Sequence, residues 1–350
     1  ISLEAGIPLL GPDCLGYVNY EARIGATWAL PDEAETGGIC ILSQSGTVFW
    51  EAITNDPRLQ FSFSAHAGLE ATLSLADLLD YATSLAHTRV IGVYLETMRD
   101  AEALVLALES SNAKHIPIVA LYAGRTEAAR AQMLTHAGRM ADDLSAVEAI
   151  CRRYGVARAK TLDEWWTTLA LLGGPRNIGE GGVAAVMDSG GGLAMFMDFA
   201  TELKVPIADI AQPTKQRLQQ ILGFSGEVGG ALDFWVGDAD RHAGTEQLLD
   251  ALVDDPATSA VLAFTTYAEA PAAGFAAKVA DACVAVERRT NKPIYAATYT
   301  SRQLYPGLMQ RLVTHRIPIL DGMWTALQAM RHAMDYRDFM RERCQEAPVP

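Results

Sequence analysis

The sequence predicts an α/β protein made of two consecutive three-layer αβα domains with mainly parallel sheets. Short apolar, β-rich runs alternate with longer helical patterns almost from end to end, as in a parallel sheet covered by helices. The chain has 350 residues, against roughly 100–200 for an ordinary domain. A glycine-rich stretch, Gly173-Gly174-Pro175-Arg176-Asn177-Ile178-Gly179-Glu180-Gly181-Gly182, interrupts the alternation. Five glycines and a proline in ten residues exclude a regular element, so this stretch reads as a linker. The domains are placed at residues 21–175 and 176–345.

In the first half, strands are expected at Gly38–Leu42, Phe61–Ala65, Val90–Leu95 and Ile116–Tyr122. Helices are expected near Thr47–Thr54, Leu75–Leu85, Asp100–Ser110 and Asp142–Tyr154. In the second half, Val183–Met187, Ala260–Thr265 and Ile294–Thr298 read as strands. Leu193–Leu203, Thr214–Leu222, Gly244–Val253, Ala272–Arg289 and Trp324–Met340 read as helices. The halves look like weak repeats of one architecture.

Lys and Arg number 28 against 42 Asp and Glu, a formal net charge of −14, and no basic run is dense enough to neutralise a nucleic-acid backbone. Nucleic acid is therefore not an expected partner. A local nest of backbone amides can still hold an anion on an acidic protein. The five cysteines are odd in number and lack CxxC spacing, which fits reduced thiols and a cytoplasmic protein. No apolar stretch approaches the roughly 18 residues of a membrane span, so no membrane is expected as a partner. The chain opens on Ile1 rather than Met, which reads as a piece of a longer protein.

The first strand-to-helix turn of each half draws attention. Ile39-Cys40-Ile41-Leu42 runs into Ser43-Gln44-Ser45-Gly46, and Val183-Ala184-Ala185-Val186-Met187 runs into Asp188-Ser189-Gly190-Gly191-Gly192. Serine and glycine leave the amides of a helix start uncovered, and those donors with the helix dipole favour an anion. Both turns are candidate phosphate cradles. Tight βα turns also need such residues for conformation and capping alone, and that reading stays open for each turn.

His136, in Leu134-Thr135-His136-Ala137-Gly138, is expected in a loop at a strand's exit, where ligand-binding residues of open α/β sheets gather. An imidazole near neutral pKa can take a phosphoryl group when one nitrogen is held by an acceptor. Glu96 ends the apolar run Val93-Tyr94-Leu95 and could supply that acceptor. It could equally cap the helix beginning near Asp100. Trp50, Phe61, Phe63, Trp165 and Trp166 could line a pocket for a bulky or aromatic acyl group, although aromatics in such domains usually form core.

These pieces occur together and in order, and so resemble the NDP-forming acyl-CoA synthetases, relatives of succinyl-CoA synthetase. Gly11-Pro12-Asp13-Cys14-Leu15-Gly16 resembles their GPNCxG motif, and Ser43-Gln44-Ser45-Gly46-Thr47 their S-[QR]-S-G-T turn. Asp77-Leu78-Leu79-Asp80-Tyr81 and Tyr94-Leu95-Glu96 are similar to D-L-L-x-Y and L-Y-L-E. Gly124-Arg125-Thr126 and Thr135-His136-Ala137-Gly138 are similar to G-R-[ST] and [SG]-H-[TA]-G, the latter carrying the family's phosphohistidine. Ser189-Gly190-Gly191-Gly192-Leu193-Ala194-Met195 resembles the G-A-G-L-A-M turn of the β subunit.

The resemblance implies two flavodoxin-like domains and an acyl-CoA synthetase that works through an acyl phosphate and a phosphohistidine. It implies His136 as the phosphate carrier, Glu96 steadying its ring, and two phosphate-binding helix starts at Ser43, Gln44, Ser45 and Gly46 and at Ser189, Gly190, Gly191 and Gly192. It also implies a carboxylic acid, CoA, ATP or ADP and Mg²⁺, no metal site on this chain, and self-association. The CoA-binding Rossmann domain, of which residues 1–20 would be a remnant, and the ATP-grasp domain are expected on flanks or on a partner subunit. The chain departs from the family pattern at Leu69, Thr72, Tyr122 and Gly230-Ala231-Leu232-Asp233. Those departures leave open a catalytically inactive homologue that binds CoA or a regulatory partner. An unrelated flavodoxin-like module binding a nucleotide or flavin at Ser43–Thr47 is a third reading.

Overall fold

The computed structural model describes residues 4–28, 36–54, 56–137, 144–235, 244–267, 274–301 and 304–346, the side chains of 135–137 and 346 excepted. The chain divides into two compact units, residues 1–173 with 338–350, and residues 174–337.

The first unit runs β1 (Tyr17–Asn19), β2 (Ile24–Ala26), β3 (Ile39–Ser43), α1 (Gly46–Thr54), β4 (Phe61–His66), α2 (Leu75–Ser84), β5 (Val90–Leu95) and α3 (Ala101–Ala113). It continues with β6 (Ile118–Tyr122), α4 (Glu127–Ala137), α5 (Leu144–Arg153), β7 (Ala157–Ala159) and α6 (Leu162–Leu172). The sheet order is β2-β1-β4-β3-β5-β6-β7. β4-β3-β5-β6-β7 is parallel, and β1 and β2 add an antiparallel edge.

The second unit holds β8 (Gly182–Met187), α7 (Gly190–Glu202), α8 (Gln212–Leu222), β9 (Ala231–Asp233), α9 (Thr245–Asp254), β10 (Thr258–Phe264) and α10 (Phe275–Glu287). β11 (Ile294–Ala297), α11 (Pro306–Thr314) and β12 (Ile319–Leu320) follow, then α12 (Met323–Glu346), whose residues from Asp338 onward belong to the first unit. The sheet order is β9-β8-β10-β11-β12, all parallel. Counted along the chain, the parallel strands of each unit lie in the order 2-1-3-4-5, the flavodoxin-like arrangement. In this order the first strand lies between the second and the third, so the chain leaves it in opposite directions and a crevice opens beyond its carboxyl end.

The sequence-based strands recur with shifts of one or two residues, whereas β1, β2, β7, β9 and β12 add elements of two or three residues. Strands that short have no measurable alternation. Helices α4, α6 and α11 are likewise additions to the sequence reading. The irregular stretch between units is shorter than expected, because Gly173 caps α6 and Gly182 already belongs to β8.

Residue alternation sorts the first sheet between two helical layers. Cys40 and Leu42 face the cluster made with α2, α3 and α5. Toward α6, Gly92 in β5 leaves room for other side chains. A Cβ there would lie 2.7 Å from Leu169 Cδ1 and 2.8 Å from Trp165 Cζ2. Trp165 is fully buried, and its indole N–H donates to the Val119 carbonyl at 2.9 Å. Gly92→Val is expected to overpack this face and to destabilise the unit by about 1–3 kcal/mol, read as a lower urea midpoint by tryptophan fluorescence. An unchanged midpoint would mean that the layer yields.

Candidate functional site

The first site lies where β3 meets α1. Ser43, the last residue of β3, is fully buried, and its hydroxyl accepts the Ser45 N–H at 2.9 Å and donates to the Ser45 carbonyl at 2.8 Å. Those two bonds fold the turn tightly. The first bond closing the helix runs from Phe49 N–H to Ser45 C=O at 3.2 Å, so the amides of Gly46, Thr47 and Val48 precede the ladder.

Gln44 fixes the turn to the neighbouring strand. Its side-chain oxygen accepts the N–H groups of Glu96 at 2.6 Å and Thr97 at 3.0 Å, just past β5. Its amide nitrogen donates to the Thr97 carbonyl at 2.9 Å and to the Glu70 carboxylate. Both donors and the oxygen are thus committed inside the protein. The side chain acts as a strut across the crevice between the first and third parallel strands, not as a ligand donor. Glu70 is itself buried, and its other oxygen accepts the Leu75 N–H at 3.2 Å.

His66, at the end of β4, is a histidine at this turn that the motifs do not indicate. Its Nδ1 accepts the Leu15 N–H at 2.9 Å, so a neutral ring carries its proton on Nε2, 3.3 Å from the Gln44 carbonyl. The ring stacks on Phe49 at 6.2 Å. Leu15 belongs to the segment that the sequence assigns to the end of a preceding domain. Here that segment is bonded into the first unit: Leu69, Ala71 and Leu73 donate to the carbonyls of Pro12, Gly11 and Leu9 at 2.8, 2.8 and 3.3 Å, and β1 pairs with β4. Gly68 permits the approach, at φ +62 and with its Cβ position 2.4 Å from the Pro12 carbonyl oxygen.

The second unit repeats the plan. Met187 ends β8 opposite Phe264 of β10, and Asp188-Ser189-Gly190 follows as Gln44-Ser45-Gly46 follows Ser43. Asp188 accepts hydrogen bonds from Thr265 Oγ1 at 2.6 Å and from the Tyr299 hydroxyl at 2.5 Å, tying the first strand's exit to the third and fourth. Ser189 caps α7 by accepting the Gly192 N–H at 3.0 Å, while Gly190 and Gly191 are exposed. Gly192 must lack a side chain, since a Cβ there would lie 2.7 Å from the Tyr299 ring. Burial, then the bond to Asp188, pushes the Tyr299 phenol well above its ordinary pKa.

His136 falls in the last turn of α4, a correction to the loop expected from the sequence. Thr126 starts that helix, its Oγ1 accepting the Ala129 N–H at 3.2 Å, and the Ala, Arg, Gln, Met and Leu that follow are good helix formers. The imidazole lies outside the described side chains. Glu96 follows β5 directly and does not cap α3; Asp100 does, accepting the Ala103 N–H at 2.9 Å. Burial, then the Glu96 carboxylate, raises the Tyr94 pKa. Phe61, Phe63 and Trp165 are core, Trp166 packs on Phe61 and Trp165, and Trp50 is 38% exposed.

The family model for the succinyl-CoA ligase like flavodoxin domain matches residues 36–172. The acetate–CoA ligase [ADP-forming] of Methanocaldococcus jannaschii is 29% identical over 241 residues, 68% of this chain and 34% of that protein. This chain is a relative of the ADP-forming acyl-CoA synthetases. Trans-feruloyl-CoA synthase FCS1, from an unknown prokaryotic organism, is 27% identical over 270 residues, 75% of this chain and 38% of that protein. The aligned part is thus well under two thirds of these relatives' length. The fold matches the dinucleotide forming acetyl-coenzyme A synthetase 1 of Ca. Korarchaeum cryptofilum with a TM-score of 0.84 at 21% identity, over 100% of this chain and 75% of that one.

Two outcomes follow from the geometry. Gln44→Leu strands the part-buried N–H of Glu96 and the buried N–H of Thr97. It is expected to cost the first unit about 2 kcal/mol or more, at roughly 1–3 kcal/mol per group left unpaired, measured by urea denaturation. A raised Tyr299 pKa adds stability that is full below the unfolded value near 10 and is lost as pH rises above it. Between pH 9 and 11, wild-type stability is expected to fall more steeply than that of Tyr299→Phe; equal slopes would contradict the assignment.

Proposed function

We propose that this chain is the middle part of an NDP-forming acyl-CoA synthetase and carries the phosphoryl group on His136. The observation supporting this most is the repeated switch point: a Ser and Gly turn opens a helix beyond the first parallel strand of each unit, braced to the third strand by Gln44 in one and Asp188 in the other. The ordered motifs around Ser43, Glu96 and His136 add to it, as do the named activities of the relatives. The Korarchaeum structure is of a complex with phosphate and ADP.

In the direction of thioester synthesis, an imidazole nitrogen of His136 attacks the γ-phosphorus of ATP and ADP leaves. A carboxylate oxygen of the acid then takes the phosphoryl group, which frees the imidazole and forms an acyl phosphate. The CoA thiol attacks the acyl carbon, loses its proton and expels inorganic phosphate. Such transfers depend on positioning and on donors that meet the travelling charge. The amides of Gly46 to Val48 and of Gly190 and Gly191 are assigned that role, and Glu96 is assigned to orient the imidazole. Ser43, Gln44 and Ser189 shape the two cradles.

Nucleotide and Mg²⁺ are assigned to an ATP-grasp domain or partner subunit, as suits relatives named as α subunits. Among the described residues, no group of three or more His, Cys, Asp or Glu is placed to hold a metal ion, and no helix is long and apolar enough to cross a membrane. Two departures favour a second reading, a homologue that binds without turnover. Leu69 is 40% exposed, and the Thr72 hydroxyl is spent on Leu9, accepting its N–H at 2.6 Å.

Acetyl phosphate labelled with ³²P separates the two, since it needs no nucleotide-binding partner. The expected result is an acid-labile label on wild type that is absent from His136→Asn. An equal label on His136→Asn removes that residue from the role, and a folded wild-type protein that takes no label supports the non-catalytic reading.

A further inference from the structure

We infer that the acid handled at the first turn is a planar aromatic one, held by an exposed tryptophan pair, Trp28 and Trp50. This rests on the phosphoryl-transfer reading above and names its substrate class. Trp28 is 77% exposed and Trp50 38%, and their rings meet edge to face, 5.9 Å apart at 75°. The other tryptophans of the first unit, Trp165 and Trp166, pack against each other at α6. Two neighbouring indoles left at the surface, with the 55% exposed Ile24 nearby in sequence, mark a surface suited to a ligand.

Their place ties them to the turn. Trp50 stands four residues after Gly46 on α1, hence on the same helix face and about 6 Å further along the axis. Helical side chains lean toward the N-terminus, so its indole leans back toward the uncovered amides. Trp28 is brought to the same place by a close backbone approach. The Cβ position of Gly16 (φ +100) would fall 1.6 Å from the Ala26 carbonyl oxygen, so only glycine fits beside residues 26–27. Leu15, next in the chain, reaches within 3.2 Å of the Gly46 Cβ position.

An aryl acid suits both ends of this surface. Its carboxylate or acyl phosphate meets the amides of Gly46 to Val48, and its ring lies on the free indole face. The crevice also keeps an unspent polar group. Thr97 is 6% exposed and its hydroxyl has no hydrogen-bond partner among the described residues, although its own N–H and C=O both bond Gln44. A buried hydroxyl left unpaired beside a built turn calls for a ligand atom or water. A short acid such as acetate would reach the amides without touching either indole.

The test follows the indole N–H resonances of Trp28 and Trp50, assigned with Trp28→Phe and Trp50→Phe, as the protein is titrated with trans-cinnamate and, separately, acetate. The expected result is a saturable shift of both, with a cinnamate midpoint at least about tenfold below that of acetate, the equivalent of 1.4 kcal/mol. Trp28→Ala, which alters an exposed side chain, is expected to raise that midpoint severalfold. Indoles that stay still, that respond equally to acetate, or that move only with protein concentration overturn the inference, the last because the pair then faces a second copy. Protein that takes label at His136 but ignores cinnamate overturns the aromatic assignment alone. Protein that binds cinnamate but takes no label at His136, even from ³²P-labelled cinnamoyl phosphate, overturns the phosphoryl reading and leaves the aromatic site standing.

Discussion

The side-chain amide of Gln44 is the constraint on which the first site depends. In a 2-1-3-4-5 sheet the chain turns away in opposite directions beyond the first strand, and the backbone ladder joins the first and third strands only as far as the Gln44 N–H, which donates to the Tyr94 carbonyl at 3.1 Å; the turns beyond it need a further hold. Gln44 supplies that hold by spending its oxygen on two backbone N–H groups past β5 and its nitrogen on Thr97 and Glu70. The network is buried, so each bond counts for more than it would in water, and an unpaired member costs correspondingly more. Ser43 folds the turn below it, and His66 and the segment around Leu15 hold it from the side.

The second unit solves the same problem with a charge. Asp188 occupies the place of Gln44, and two hydroxyls, those of Thr265 and Tyr299, answer its carboxylate. The difference is one of degree: the Gln44 amide itself donates to the Glu70 carboxylate, so a carboxylate stands in the brace behind each turn.

Much of this could be read in the residues. The alternating apolar runs located the longer parallel strands, and the paired small-residue turns located both helix starts. The polar struts could not be read, because a glutamine or aspartate after a strand has no signature until its partners, 26 to 111 residues away, are folded beside it. Glu70 and Thr97 serve Gln44, and Thr265 serves Asp188, only through tertiary placement. His136 shows a different limit: its motif suggests a loop, but the helix-forming run before it carries α4 through the motif as far as Ala137. His66 was passed over because a histidine ending an apolar strand resembles a core residue, and its function here is indeed structural. Trp50 was grouped with aromatics that proved to be core, and only fractional exposure separated it from them.

The phosphoryl reading requires uncovered amides at each braced switch point that take up an anion. Backbone ¹H–¹⁵N spectra recorded while inorganic phosphate is added examine this atom by atom. The predicted result is that the amides of Gly46, Gly190 and Gly191 shift along saturating curves, with Gly46 losing its response when Gln44 is replaced by Leu. If those three amides stay still at phosphate concentrations that move others on the protein, the two turns are loops of the fold and the account is wrong.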